Sequence, residues 1–284
     1  MNLARITVLL FFFACFPGAS GLAAEEGAAK TARISSFNIR IFGTAKMGKS
    51  EAASILADIV SRSDITAIQE VRSVSVEPVE RFMALLPERF SFVLGPREGR
   101  SISREQYWVI YDTEKFIVLG TVVYPDPQDI FEREPLGVYF AARDNFDFIL
   151  INNHIRPRGA SAEISALPDA AAWFKNYFDE EDVLILGDFN ADGSYYDEAL
   201  LSSVFPSRDY EIIITNDLDT TPAPGSNTYD RFIITNTARE DYASARGVLP
   251  FDEEYDFSSL GIKPSDVSDH YPVWAEFYLG QDTD

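Results

Sequence analysis

The sequence holds one cysteine, Cys15, and two histidines, His154 and His270, in 284 residues. A single thiol excludes an intramolecular disulfide and a site built from paired thiolates. Basic side chains are in the minority too: 24 Lys and Arg stand against 45 Asp and Glu, a net charge of −21. That sign excludes an extended basic face as the means of attracting a polyanion. An anionic ligand would have to be held by divalent cations in acidic clefts or by a few placed arginines, and most of the acid serves solubility. A membrane-spanning run is also lacking. The apolar stretch 6–16 is too short to cross a bilayer comfortably. Arg5 before it and the small residues of 18–24 after it predict a signal peptide over 1–24, cleaved after Ala24, and therefore a secreted protein, extracellular or periplasmic. Cys15 lies inside that leader, so the mature chain would hold no thiol at all. Lipid anchoring at Cys15 is the alternative, and Phe12-Phe13-Ala14 is a poor match to the leucine-led box it needs.

What is present is core material: 46% of the residues are hydrophobic and 13% aromatic. No repeat, low-complexity tract or linker follows residue 30, so 25–284 is expected to be one domain. Apolar runs at 34–41, 65–71, 107–111, 137–141, 146–152, 183–186, 232–234 and 273–278 predict buried strands. Helical periodicity predicts helices over 49–62, near 78–86 and within 161–178, the last kinked or restarted at Pro168. Interspersed strands and helices indicate an α/β fold, with two sheets packed face to face and helices outside as one arrangement.

Polar residues interrupt these strands at their ends: Asn38, Glu70, His154, Asp188 with Asn190, Asp230, and Asp269-His270. Strand ends that meet on one rim form a cleft, and carboxylates gathered there make a hard-oxygen site suited to Mg²⁺ or Mn²⁺. Both histidines lie in these segments. Histidine moves protons near neutral pH, so two of them beside strand-end carboxylates suggest an acid–base pair. Zinc is disfavoured, since HExxH and cysteine ligands are lacking.

Ser36-Phe37-Asn38-Ile39, Gln69-Glu70-Val71-Arg72, Arg104-Glu105-Gln106-Tyr107, Arg133-Glu134-Pro135, Asn153-His154, Gly187-Asp188-Phe189-Asn190, Tyr229-Asp230-Arg231 and Ser268-Asp269-His270 together resemble the DNase I-like family of the endonuclease/exonuclease/phosphatase superfamily. The likeness runs in order from about Ile34 to Phe277. It implies a four-layer α/β/β/α sandwich of two mixed sheets with helices on both outer faces, and a Mg²⁺- or Mn²⁺-dependent DNA endonuclease leaving 5′-phosphates. Position by position, it implies Glu70 as principal metal ligand with Asn38 and Asp269 beside it. Asp188 and Asn190 match a second metal and phosphate-contact pair. His154 with Glu105, and His270 with Asp230, match two hydrogen-bonded dyads.

The resemblance also implies DNA contacts by Arg72, by Arg100 and Arg104 of the loop 99–104, and by Arg133, with Arg40 and Arg156 as further candidates. Three positions depart from the family. Ser103 stands where a sugar-stacking tyrosine is common. Gly193 and Asn227 replace the two cysteines of a disulfide. Asp219 and Thr221 fit a calcium loop as a possible structural Ca²⁺ site, whereas Ala223 and Gly225 offer no side-chain oxygen. The expected protein is a monomer without an obligate partner. Another phosphoesterase of the superfamily, on phospholipid or phosphomonoester, and a DNase-like toxin subunit are the competing readings. The Arg-Glu-x-Tyr and Tyr-Asp-Arg segments and the intact catalytic positions argue against both.

Overall fold

The computed structural model describes residues 30–100, 103–280 and 282. The expected leader, and Cys15 within it, lie outside the described residues. Twelve strands form two six-stranded sheets. The first is ordered β11 (Tyr242–Val248), β12 (Val273–Tyr278), β1 (Thr31–Phe42), β2 (Ile65–Val71), β4 (Gln106–Asp112), β3 (Phe90–Leu94). The second runs β5 (Phe116–Val123), β6 (Leu136–Ala142), β7 (Asp147–His154), β8 (Val183–Asp188), β10 (Asp230–Thr235), β9 (Tyr210–Ile212). Each sheet is mixed: β1 pairs parallel to β2 and β7 parallel to β8, and the other pairings are antiparallel.

Period-two alternation divides the apolar residues into layers. Ile34, Ala67, Val109, Leu150, Leu184 and Phe232 face inward and make the core between the sheets. Their neighbours Phe37, Ile68, Trp108 and Ile110 face outward. They pack on helices that follow a short α1 (Thr44–Met47), namely α2 (Ser50–Ser61) and α3 (Glu77–Met83). Outward residues of the second sheet, Ile149, Ile151, Val183, Ile185 and Ile233, bury the apolar face of α4 (Ala160–Phe178). The result is the α/β/β/α sandwich. Pro168 lies inside α4 without restarting it. One missing N–H is tolerated because Ile164, Leu167, Ala171 and Phe174 are wholly buried along the helix.

Candidate active site

The inward series of each strand continues beyond the apolar core into polar residues at one end of the sandwich. Ile34 is followed in register by Ser36 and Asn38, Ala67 by Gln69, Leu150 by Asn152 and His154, and Leu186 by Asp188. Tyr107 is preceded by Glu105, and Phe232 by Asp230. Strand pairing sets His154 and Asp230 both opposite Asp188. Alternation therefore gathers these groups, and Gln69 Nε2 ties the sheets together by donating to Asn152 Oδ1 at 2.7 Å.

Two local distortions complete the gathering. The register of β1 against β2 slips between Asn38 and Phe42, where Arg40 (φ 46°) and Ile41 (φ 51°) are left-handed. Against β4, β2 slips at Glu70, whose φ is 64°. Such bulges re-aim side chains, and each left-handed non-glycine residue costs about 1–3 kcal/mol. Here Glu70 Oε1 is brought to 3.3 Å from Asn38 Nδ2, and Glu70 Oε2 accepts from the Ile41 N–H at 2.9 Å. Gly187 serves the opposite need. Its φ is 148°, and a Cβ there would lie 1.9 Å from the Asn153 carbonyl oxygen, so the close approach of β7 and β8 beside His154 requires glycine.

Two histidine–carboxylate pairs face one another. His154 Nδ1 lies 2.8 Å from Glu105 Oε2, and His270 Nδ1 2.8 Å from Asp230 Oδ2. Both Nε2 atoms point at one atom, Asp188 Oδ2, at 3.3 and 3.6 Å. The same oxygen accepts from Asn38 Nδ2 at 3.0 Å, while Asp188 Oδ1 accepts from the Asn190 N–H. Asn190 Nδ2 donates to the Ile155 carbonyl. Burial opposes charge on Glu105, but His154, Arg133 and Arg72 outweigh it and hold its pKa near 2. Burial likewise opposes charge on His270, and Asp230 and Asp188 overcome it to raise the imidazole to about 10. Asp188 is lowered despite complete burial, because both imidazoles adjoin it.

The expected arginines divide by depth. Arg133 is almost buried: it donates to the His154 carbonyl at 3.1 Å and pairs with Glu105 at 3.4 Å. Arg72 Nη2 bridges Glu70 and Glu105, 3.0 Å from each. Arg104 is exposed on its loop, whereas Arg100 Nη2 is caught by the Asp129 and Phe131 carbonyls and the Asp129 carboxylate. Arg40 pairs with Asp269 at 3.4 Å, and Arg156 with Glu132 at 3.1 Å. Asp219 Oδ1 accepts from the N–H groups of Thr221 and Asn227, closing its own loop. Tyr107, whose hydroxyl accepts from the His154 N–H, and the Gln69–Asn152 pair carried no assigned role in the sequence. Their inward parity was the available signal.

The donor set fits a hard divalent cation. Glu70 and Asp188 approach the same Asn38 amide, and oxygen donors dominate this end of the sandwich. Asp188, Asp230 and His270 also place potential ligand atoms within 4.8 Å of one another, and Asp230 Oδ1 is buried without a hydrogen-bond partner. Asn38 and Glu70 thus meet directly. Asp269 pairs instead with Arg40, whose N–H bonds Asn38 Oδ1.

Residues 35–270 match the Endonuclease/Exonuclease/phosphatase family. Deoxyribonuclease-1 of Bos taurus is 32% identical over 254 residues, covering 85% of this chain and 90% of that protein. Deoxyribonuclease-1 of Gallus gallus is 33% identical over 268 residues, covering 86% and 92%. Among solved structures, an endonuclease/exonuclease/phosphatase family protein from Bacteroides thetaiotaomicron superposes with a TM-score of 0.61 at 14% identity, over 87% of this chain and 95% of that one. That likeness is one of fold.

Proposed function

Since this chain belongs to the Endonuclease/Exonuclease/phosphatase family, in its DNase I-like branch, we propose that it is a deoxyribonuclease, a divalent-metal-dependent endonuclease that hydrolyses DNA phosphodiester bonds to 5′-phosphate ends. The observation that carries this reading is the convergence of both imidazole Nε2 atoms on Asp188 Oδ2. In-line hydrolysis needs one group to take a proton from water and another, across the phosphorus, to give one to the departing 3′ oxygen. Two imidazoles, each fixed in tautomer by a carboxylate on Nδ1, supply that pair.

Glu70, Asn38 and Asp188 would hold the cation, with Asp269 at the rim. When bound, it would neutralise charge developing on the non-bridging phosphate oxygens. Asn190, held by Asp188 and Ile155, offers its amide to the phosphate, and exposed Arg104 offers a contact to the DNA backbone. Arg72 and Arg133 keep Glu105 ionised. The reading extends to export, with 1–24 as leader and 25–284 as the secreted domain. It is supported by the short apolar stretch 6–16, with Arg5 before it and the small residues of 18–24 after it.

The test is nicking of supercoiled plasmid with Mg²⁺ and with excess EDTA, run beside a nucleotide monoester and a phospholipid. Nicking is expected with Mg²⁺ alone, and His154→Ala or His270→Ala should each slow it by about 10²–10⁴-fold. Full activity in EDTA would remove the metal from the scheme. Turnover of the monoester or lipid without nicking would replace the substrate.

A further inference from the structure

The ladder between β1 and β12 ends at Ser36 opposite Val273, short of both segments that carry the site. Beyond it, Asn38 stands on the bulged end of β1, and Asp269 and His270 on the chain leading into β12. Among the described residues no strand pairing joins these two stretches, and side chains make the connection instead. Ser268 is one link. Its buried hydroxyl donates to the Asn38 carbonyl at 2.6 Å and accepts from the His270 N–H at 3.1 Å. Lys46, on α1, is another. Its ammonium donates to the carbonyl of Ile39, next after Asn38, and at 2.6 Å to that of Val267, next before Ser268.

Only 8% of Lys46 is exposed, and both of these partners are backbone carbonyls rather than carboxylates. Lysine is rarely buried this far unless paired, because a desolvated ammonium is costly. An apolar side chain of the same length would fill the space at lower cost, but it could not satisfy two carbonyls. Ile39 lies where β1 slips out of register on β2, and Val267 ends the short helix Pro264–Val267. Both carbonyls therefore stand where regular hydrogen bonding gives out. The exposed cations nearby add little hold. Arg40 reaches the Ser265 carbonyl and Asp269, and Lys49 reaches Asp266, but their side chains are 40% and 50% exposed.

We infer that Lys46 is a positioning residue: it sets the distance between Asn38 and His270, and so between the bound cation and the imidazole that act on one phosphate. The inference rests on the roles proposed for Asn38 and His270. Lys46 works through the backbone, on Ile39 to one side and Val267 to the other. One ammonium bonded to both carbonyls cannot follow one segment without drawing the other. Lys46 also lines an open cleft of about 300 Å³ with Arg40 and Lys49, which makes a phosphate contact the rival role. Its burial and its two carbonyl partners favour positioning.

The experiment compares Lys46→Met, which keeps the length and removes the donor, with Lys49→Met, which removes a neighbouring exposed charge. Mn²⁺ binding is followed by electron paramagnetic resonance at the site that Glu70→Gln abolishes. Lys46→Met is expected to weaken it by about 10–100-fold, the scale for groups that orient metal ligands. On duplex DNA kcat should fall with it while KM is unchanged. With two histidines in the chain, imidazole NMR reads each one, and the His270 signal should move while that of His154 stays. Lys49→Met should change none of these. Thermal melts check each fold, and Lys46→Gln, shorter and uncharged, replaces Lys46→Met if that variant does not fold. Wild-type Mn²⁺ affinity and kcat in the folded variant overturn the proposal. So does a raised KM with kcat intact, which would make Lys46 a DNA contact. Equal losses in Lys49→Met overturn it too, since charge alone would then explain them. Mn²⁺ binding without any DNA cleavage by the wild type overturns the deoxyribonuclease reading, and the Mn²⁺ and NMR comparisons still decide the role of Lys46.

Discussion

Glu105 and Glu163 are both buried glutamates, and their neighbours drive them apart. Glu105 touches His154, Arg72 and Arg133 and stays ionised far below neutral pH. Glu163 has the Arg156 N–H at 3.3 Å and its Nε no closer than 3.7 Å, and burial pushes its pKa up to about 7. The folded state thus binds this proton more tightly than the unfolded chain, where the carboxyl titrates near 4.5. As pH rises from there through 7, the unfolded chain releases its proton first, so stability falls across that window and no further above it. The loss is at most about 3 kcal/mol. Glu163→Gln removes the charge and keeps the shape. It is expected to raise Tm by several degrees at pH 8 and to match wild type at pH 4.5 in thermal melts. A lower Tm at pH 8 would show that the ion pair with Arg156 outweighs burial.

Among the elements, the strands that sequence patterning missed share one property. β3, β5, β9 and β11 are the four sheet edges. Edge strands are covered on fewer sides, so half-buried positions replace the continuous apolar runs that reveal β7 or β8. The loops between strands show another substitution of means. A Cβ on Gly193 would lie 3.3 Å from Asn227 Oδ1, and Asp192 Oδ2 accepts from the Thr228 N–H at 2.6 Å. A charge-assisted hydrogen bond thus ties the two segments where the family resemblance implies a disulfide. Gly193→Cys with Asn227→Cys should restore the bridge. Closing a loop of this length contributes about 4 kcal/mol, while a side chain at φ 62° costs the double variant roughly 1–2 kcal/mol against wild type in either redox state. Urea unfolding of oxidised and reduced double variant should therefore differ by about 4 kcal/mol, since the strain at position 193 is common to both. Coincident curves, with the bridge verified by thiol titration, would mean that strain in the bridge itself cancels the gain.

For the molecule as a whole, charge decides how DNA is held. At −21 the protein repels a polyanion at long range, so affinity must come from a few contacts at the cleft. Arg104 is exposed, whereas Arg72, Arg100 and Arg133 already serve carboxylates or carbonyls of the protein. Few phosphate contacts mean a shallow dependence of log K on log salt. Arg104→Ala should lower that slope by about one unit, and Arg100→Ala by less, in binding titrations at several salt concentrations. Equal and unchanged slopes for both variants would place the DNA away from this loop.

The sequence alone determined the core, because a run such as Val183–Leu186 can be stable only when buried on both faces. It also marked the residues that gather at one end of the sandwich, because the only two histidines and their neighbouring acids stand at or beside strand ends. Residue spacing carries that information locally. Which groups meet is a different matter. Asp188 takes both imidazoles, Asn38 spans the sheets to reach it, and Arg72 and Arg133 turn inward to Glu105. These contacts join residues far apart in the chain. They exist only once two twisted sheets have packed at one register, with Arg40, Ile41 and Glu70 forced into left-handed bulges that no single-strand pattern encodes.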